Sequence, residues 1–148
     1  MSKRTILALS FLILGIVIIL FSMGSSILTY ELLGVPAGNI LLWLGFIALQ
    51  VATYISNGGF KKSPSRLGKL IRWLMIALIV ISILWFGISY VLSGNTGFNF
   101  SSSAVSFFGS PEASILYWNI IYVLVVAPIA LSLVYVILRF IENRKLGN

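Results

Sequence analysis

Four apolar runs divide the chain, at Thr5 to Tyr30, Ile40 to Ser56, Leu70 to Ser93 and Ile115 to Ile141, with most polar residues in the segments between them. Each approaches or exceeds the ~20 residues that a helix needs to cross ~30 Å of hydrocarbon. Lipid offers no partner to backbone polar groups, so uncharged runs of this length are expected to be helices. The pattern predicts an all-α integral membrane protein: a single domain over residues 1–148, with four transmembrane helices in an up-down bundle. The second run is the shortest, and it is expected to take residues from the "GVPAGN" at its start. "MSKR", an apolar stretch and "SMGSS" also fit a secretory signal peptide. The run continues to Tyr30, beyond the ~7–15 residues of a signal core, so it is read as a retained span.

The connections differ in character. Residues 31–39, "ELLGVPAGN", make a short Pro- and Gly-containing turn that should leave the first two helices as antiparallel neighbours. Residues 57–69 are polar, basic and rich in breakers. Residues 94–114 form the longest connection, mixing Ser and Asn with Phe98, Phe100, Phe107 and Phe108. Four Phe make this loop too apolar to stay in water, so it is expected to lie at the interface or to cap helix ends. It also carries the glycosylation acceptor pattern Asn99-Phe100-Ser101.

Composition agrees with a membrane location. The chain is 59% hydrophobic and 9% charged, where soluble domains run near about 45–50% apolar and about 25% charged. It contains neither Cys nor His, which removes disulfides, thiolate nucleophiles and every imidazole role in metal binding or proton transfer.

Charge adds the orientation. The ten basic residues fall in three places: Lys3 and Arg4; the cluster Lys61, Lys62, Arg66, Lys69 and Arg72; and Arg139, Arg144 and Lys145. With four spans all three lie on one side, and the two opposite connections hold no Lys or Arg, only Glu31 and Glu112. The positive-inside rule therefore predicts a multi-pass protein of the cell membrane with both termini and the 57–69 loop in the cytoplasm. The basic cluster is first an orientation signal, with attraction to anionic lipid headgroups as a second effect. It lacks the aromatic platforms of a nucleic-acid site, so no nucleic-acid partner is expected. Tyr30, Trp43, Trp85, Tyr90, Tyr117 and Trp118 are expected in an outer aromatic belt, and Tyr54, Trp73 and Phe140 in an inner one. A quinone or lipid pocket between the outer helix ends is a second use for the same rings.

Candidate chemistry is sparse. No ionisable residue falls at mid-span, since Glu31, Glu112 and Glu142 all lie at run ends, so an intramembrane proton relay lacks its main part. No catalytic, cofactor-binding or metal-ligating residue is assigned. Gln50 and Ser82 lie near the middle of the second and third runs and are expected to hydrogen-bond across helix interfaces. Ser22 and Ser26, and Ala48 and Ala52, place small residues at four-residue spacing where helices can approach closely. Pro128 falls near the centre of the fourth run and should bend it, either statically or as a gate.

These features suggest a non-catalytic accessory subunit of a larger membrane complex, such as a respiratory oxidase or another membrane oxidoreductase. Its partners would be membrane lipids and other integral membrane subunits, with any haem or quinone carried by those subunits. A stand-alone carrier, channel or lipid-handling protein is the alternative; it would need a polar path built from Gln50, Thr53, Ser82 and Tyr135. "LLGVPAGNILLWLGF", Leu32 to Phe46, resembles the turn and second helix of the DoxX-like family. That resemblance implies a small four-helix protein linked to sulfur or quinone oxidoreduction, although the first helix here lacks the charged residues expected of it. Outer connections without basic residues would also change charge little in an acidic exterior, as a thermoacidophilic archaeon requires.

Overall fold

The computed structural model describes residues 2–95, 100 and 107–146. Among them are four long helices, α1 (Lys3–Ser22), α2 (Ala37–Ser56), α3 (Arg66–Ser93) and α4 (Pro111–Leu146), each long and apolar enough to cross a membrane. Twenty residues at 1.5 Å rise give α1 and α2 about 30 Å each, close to one hydrocarbon thickness.

Local sequence sets the ends. The Ser2 hydroxyl accepts the Thr5 N–H and opens α1. The Ser65 hydroxyl accepts the Gly68 N–H and opens α3. Ser110 caps α4 by accepting from Ala113, with Pro111 at the first helical position, where a missing N–H costs nothing.

The first helix is shorter than the apolar run. It stops at Ser22 because Gly24 takes a left-handed conformation, φ +57°, and the Gly24 and Ser25 N–H groups turn back to the Phe21 and Leu20 carbonyls. A single 3-10 turn follows at Ser26–Thr29, and then a two-stranded antiparallel hairpin, β1 (Glu31–Leu32) with β2 (Val35–Pro36). Its two-residue loop, Leu33–Gly34, has positive φ at both positions, the type I′ geometry that matches strand twist. Apolar character thus continued past the helix end, and the continuation folds as a turn and hairpin.

The helices do not share contacts equally. The core is built by α2, α3 and α4, with Met75 and Leu78 of α3, Phe46 of α2, and Tyr117, Leu124 and Tyr135 of α4 in one buried cluster. On α3 the buried positions 71, 75, 78, 82 and 85 recur every three or four residues, the stripe of a helix packed along one face. α1 packs principally on α2, where Val17 sits against Gly45 and a Cβ on that glycine would come within 3.2 Å of the valine. Its other faces carry exposed Phe11, Leu12, Ile16, Ile18 and Ile19.

The described residues between α3 and α4 pack on the helix ends. Gly94, φ +76°, ends α3, and the Phe108 N–H returns to the Ser93 carbonyl. The Phe100 ring lies over Gly38 and meets Phe21 edge-on at 5.4 Å, bridging the end of α1 and the start of α2. Phe107 packs on Tyr117.

Candidate functional site

Two polar sites stand out, one in the middle of the helices and one at the basic end. The central site begins with Pro128, buried within α4. Proline has no N–H to give the carbonyl four residues before it, and that carbonyl belongs to Leu124. The gap is filled from another helix: Gln50 Nε2 of α2 donates to the Leu124 oxygen at 2.7 Å. Because the acceptor is a carbonyl, the amide's orientation is set. Gln50 is 0% exposed, so this bond is made away from water, where an unmet carbonyl costs about 1–3 kcal/mol.

Gln50 thus bonds to the turn that Pro128 opens. Ser82 is equally buried, yet among the described residues its hydroxyl has no hydrogen-bond partner, and neither has Gln50 Oε1. Neither residue lines the clefts described below. The central contact is a fastening point of α2 to α4.

The small-residue pairs divide. Ala48 and Ala52 are buried on α2, and Ala48 faces a groove shared with Ile6, Leu9 and Ser10 of α1. Ser22 and Ser26 are exposed, one ending α1 and the other in the 3-10 turn, so they form no common helix face. The turn at Gly24 separates them.

The aromatic belt also needs revision. Trp85 and Tyr117 are core residues, their rings tilted by 50° at 5.2 Å, with Phe46 edge-on to Trp85. Trp43 is half-buried and donates its indole N–H to the Ile83 carbonyl at 3.0 Å, joining α2 to α3. Tyr30, Tyr90, Trp118, Trp73 and Phe140 remain exposed, as belt residues are. The space enclosed by Trp85, Tyr90, Tyr117 and Asn39 is about 10 Å³, room for about one water and far below a quinone ring.

At the basic end, the loop after α2 is tied to α4. Asn57 Nδ2 donates to the Thr53 carbonyl at 2.9 Å and to Ser132 Oγ at 2.8 Å. The Lys62 N–H donates to the Tyr135 hydroxyl at 2.9 Å. Ser63, which reads as an open loop residue, is buried and donates to the Glu142 carboxylate at 2.8 Å. Gly68 makes room for this contact, since any Cβ there would collide with the Ser63 side chain. Between the α2 end and α4 lies a cleft of about 490 Å³ reached by Lys62, Arg139, Asn57, Asn143 and Tyr135.

Of the basic cluster, Lys61 and Lys62 belong to the loop, while Arg66, Lys69 and Arg72 occupy the first two turns of α3. Arg72 is half-buried, its Nε closed off from solvent and without a hydrogen bond among the described residues. Lys3 of α1 shares a smaller cleft with Tyr54 and Lys61. Asn99 lies outside the described residues. Among the described residues no group of three or more Asp and Glu side chains is arranged to hold a metal.

Lys62, Tyr135 and Arg139 were each singled out in the sequence without being brought together, though a signal was present. Ser132, Tyr135, Arg139 and Asn143 follow spacings of three, four and four, a polar stripe along one face of the last turns of α4. The likeness of Leu32 to Phe46 to the DoxX-like turn has no counterpart over the rest of the chain. No family model matches this sequence, and no curated protein or solved structure is significantly similar to it.

Proposed function

We propose that this chain is a non-catalytic subunit of a larger membrane protein complex, seated among other integral membrane subunits that carry the working groups. The observation behind this reading is α1. It presents one face to α2 and leaves Phe11, Leu12, Ile16, Ile18 and Ile19 uncovered, a full-length apolar helix at the rim of a three-helix core. Such a helix can be shared with a neighbour without unpacking the core. A respiratory-type oxidoreductase, with haem or quinone on the neighbour, is the complex this reading favours. It rests on the absence of ionisable side chains at mid-span and not on any ligand site.

The stand-alone channel is the weaker reading, because the Gln50 Nε2 donor is engaged by a backbone carbonyl and Tyr135 sits against Phe60 at 4.7 Å. The reading includes an up-down bundle with both termini and the 57–69 loop on the cytoplasmic face. Its support is the confinement of Lys and Arg to three segments, and the clefts that bring Lys3 beside Tyr54 and the end of α2 beside Arg139.

Purification from native membranes in mild detergent, followed by mass spectrometry and an absorbance spectrum, tests the proposal. Stoichiometric membrane partners and a chromophore are expected; a chromophore-free homo-oligomer overturns it. Orientation is tested with an impermeant thiol label, since the chain has no native Cys. In intact cells Leu33→Cys should react and Lys61→Cys should not, and the reverse result refutes the assignment.

A further inference from the structure

The cleft at the basic end has the composition of an anion site. Two cations, Lys62 and Arg139, line it, and among the described residues no carboxylate does. The carboxylate next in sequence, Glu142, receives the Ser63 hydroxyl from the 57–69 loop. Neutral hydrogen-bonding groups complete the wall: the Asn143 amide and the Tyr135 hydroxyl. The tyrosine is informative. It is buried to within 1% of its surface and its oxygen accepts from Lys62 N–H, yet its own proton has no acceptor among the described residues. A buried hydroxyl that lines a cleft with an unspent donor calls for an acceptor from outside the chain.

The remaining wall is apolar. Val136 and Phe140 form the lip, and both are exposed on the face of α4 that continues through Leu133 and Ile129. The volume, about 490 Å³, falls within the ~300–1,000 Å³ of small-molecule sites. One molecule combines these demands: an acceptor-rich anionic head at the level of Lys62 and Arg139, and an acyl chain laid along an apolar helix.

We propose that this cleft binds the phosphodiester headgroup of an anionic phospholipid, with Lys62 and Arg139 as its charge partners and the Tyr135 hydroxyl as a donor. The assignment does not depend on whether the chain is a subunit or acts alone, nor on which side of the membrane the basic end faces. Attraction to a charged membrane surface would act on every basic residue alike, whereas a built cleft singles out two.

The test uses the purified full-length chain in a neutral detergent, with native mass spectrometry to count retained lipids as phosphatidylglycerol or phosphatidylcholine is titrated. One retained phosphatidylglycerol is expected in preference to phosphatidylcholine. The double variant Lys62→Gln/Arg139→Gln should weaken its retention by about 30-fold. Arg66→Gln/Lys69→Gln removes the same charge from α3 outside the cleft and should leave retention within about twofold. Tyr135→Phe should weaken it several-fold while keeping the ring contact with Phe60. The backbone N–H of Lys62, and not its side chain, bonds Tyr135, so the first double variant leaves that bond intact; circular dichroism checks the fold. Equal losses in the two double variants would reduce the effect to general surface charge and overturn the proposal. Displacement of the lipid by equimolar inorganic phosphate would assign the cleft to a soluble anion and overturn the lipid assignment.

Discussion

The first two helices have the same length, 20 residues each, and are both apolar enough to cross a membrane, yet one lies at the rim and the other at the centre. α2 touches all three other helices. Its sequence differs from that of α1 in small residues and in a mid-helix amide: Gly45, Ala48 and Ala52 are buried and let backbones approach, and Gln50 carries the donor that α4 lacks. α1 offers mostly branched chains on every face and one buried serine, whose hydroxyl returns to its own backbone at Ile6. In lipid, apolarity decides only that a helix spans, because the surroundings are as apolar as leucine. Position within the bundle is decided by close approach and by hydrogen bonds across helices.

The contrast can be broken most severely by hollowing the core. Met75→Ala, at a fully buried position, should lower stability in detergent by about 2–5 kcal/mol, while Ile18→Ala on the rim should change it by less than about 0.5 kcal/mol. Reversible unfolding in mixed micelles measures both. In native membranes the order should invert for partner retention: Ile18→Ala, or a bulky polar change such as Ile18→Gln, should release neighbours that Met75→Ala still holds.

Next in size is the α2–α4 fastening. Gln50→Leu should cost about 1–3 kcal/mol by leaving the Leu124 carbonyl buried without a donor. In a Pro128→Ala background the helix regains its own N–H at residue 128, and the same substitution should cost less. A double-mutant cycle is expected to show a coupling of about 1 kcal/mol, and strict additivity would mean that the proline and the glutamine are unrelated. A smaller effect, about 1 kcal/mol and of opposite sign, is expected from Leu33→Gly. Leu33 holds φ +54° at a fully exposed hairpin tip, a conformation a side chain disfavours. A destabilised Leu33→Gly hairpin, seen as faster amide exchange at Leu32 and Val35, would show that the leucine is held there by contacts.

The four helices were legible because long apolar runs with charge only near their ends have one solution in lipid. Their ends were less so. The first run kept its hydrophobicity through Ile27 and Leu28, and only Gly24 marked where helix gave way to turn, a residue equally at home inside membrane helices. Gln50 could be read as an interhelical donor from its depth alone, but naming Leu124 required knowing that α4 is the neighbour that α2 meets at that level. Pro128 held the clue, since its missing N–H frees a carbonyl four residues earlier. Trp85 and Tyr117 misled because an aromatic near a run's end suits an interface as well as a core; only the packing of α3 against α4 separates the two. The cleft at the basic end joins Lys62 to Arg139, 77 positions apart, and such pairs follow from topology rather than from any local pattern.

The bond from Gln50 to Leu124 also works as an alignment pin. Two smooth apolar helices can slide along or roll over each other at little cost, and lipid would heal either error. A shift of α4 by one residue would carry the open carbonyl 1.5 Å along its axis and about 100° around it, out of reach of a side chain anchored on α2. A single hydrogen bond, modest as a source of stability, thereby selects one axial and rotational setting out of many that are almost equally greasy.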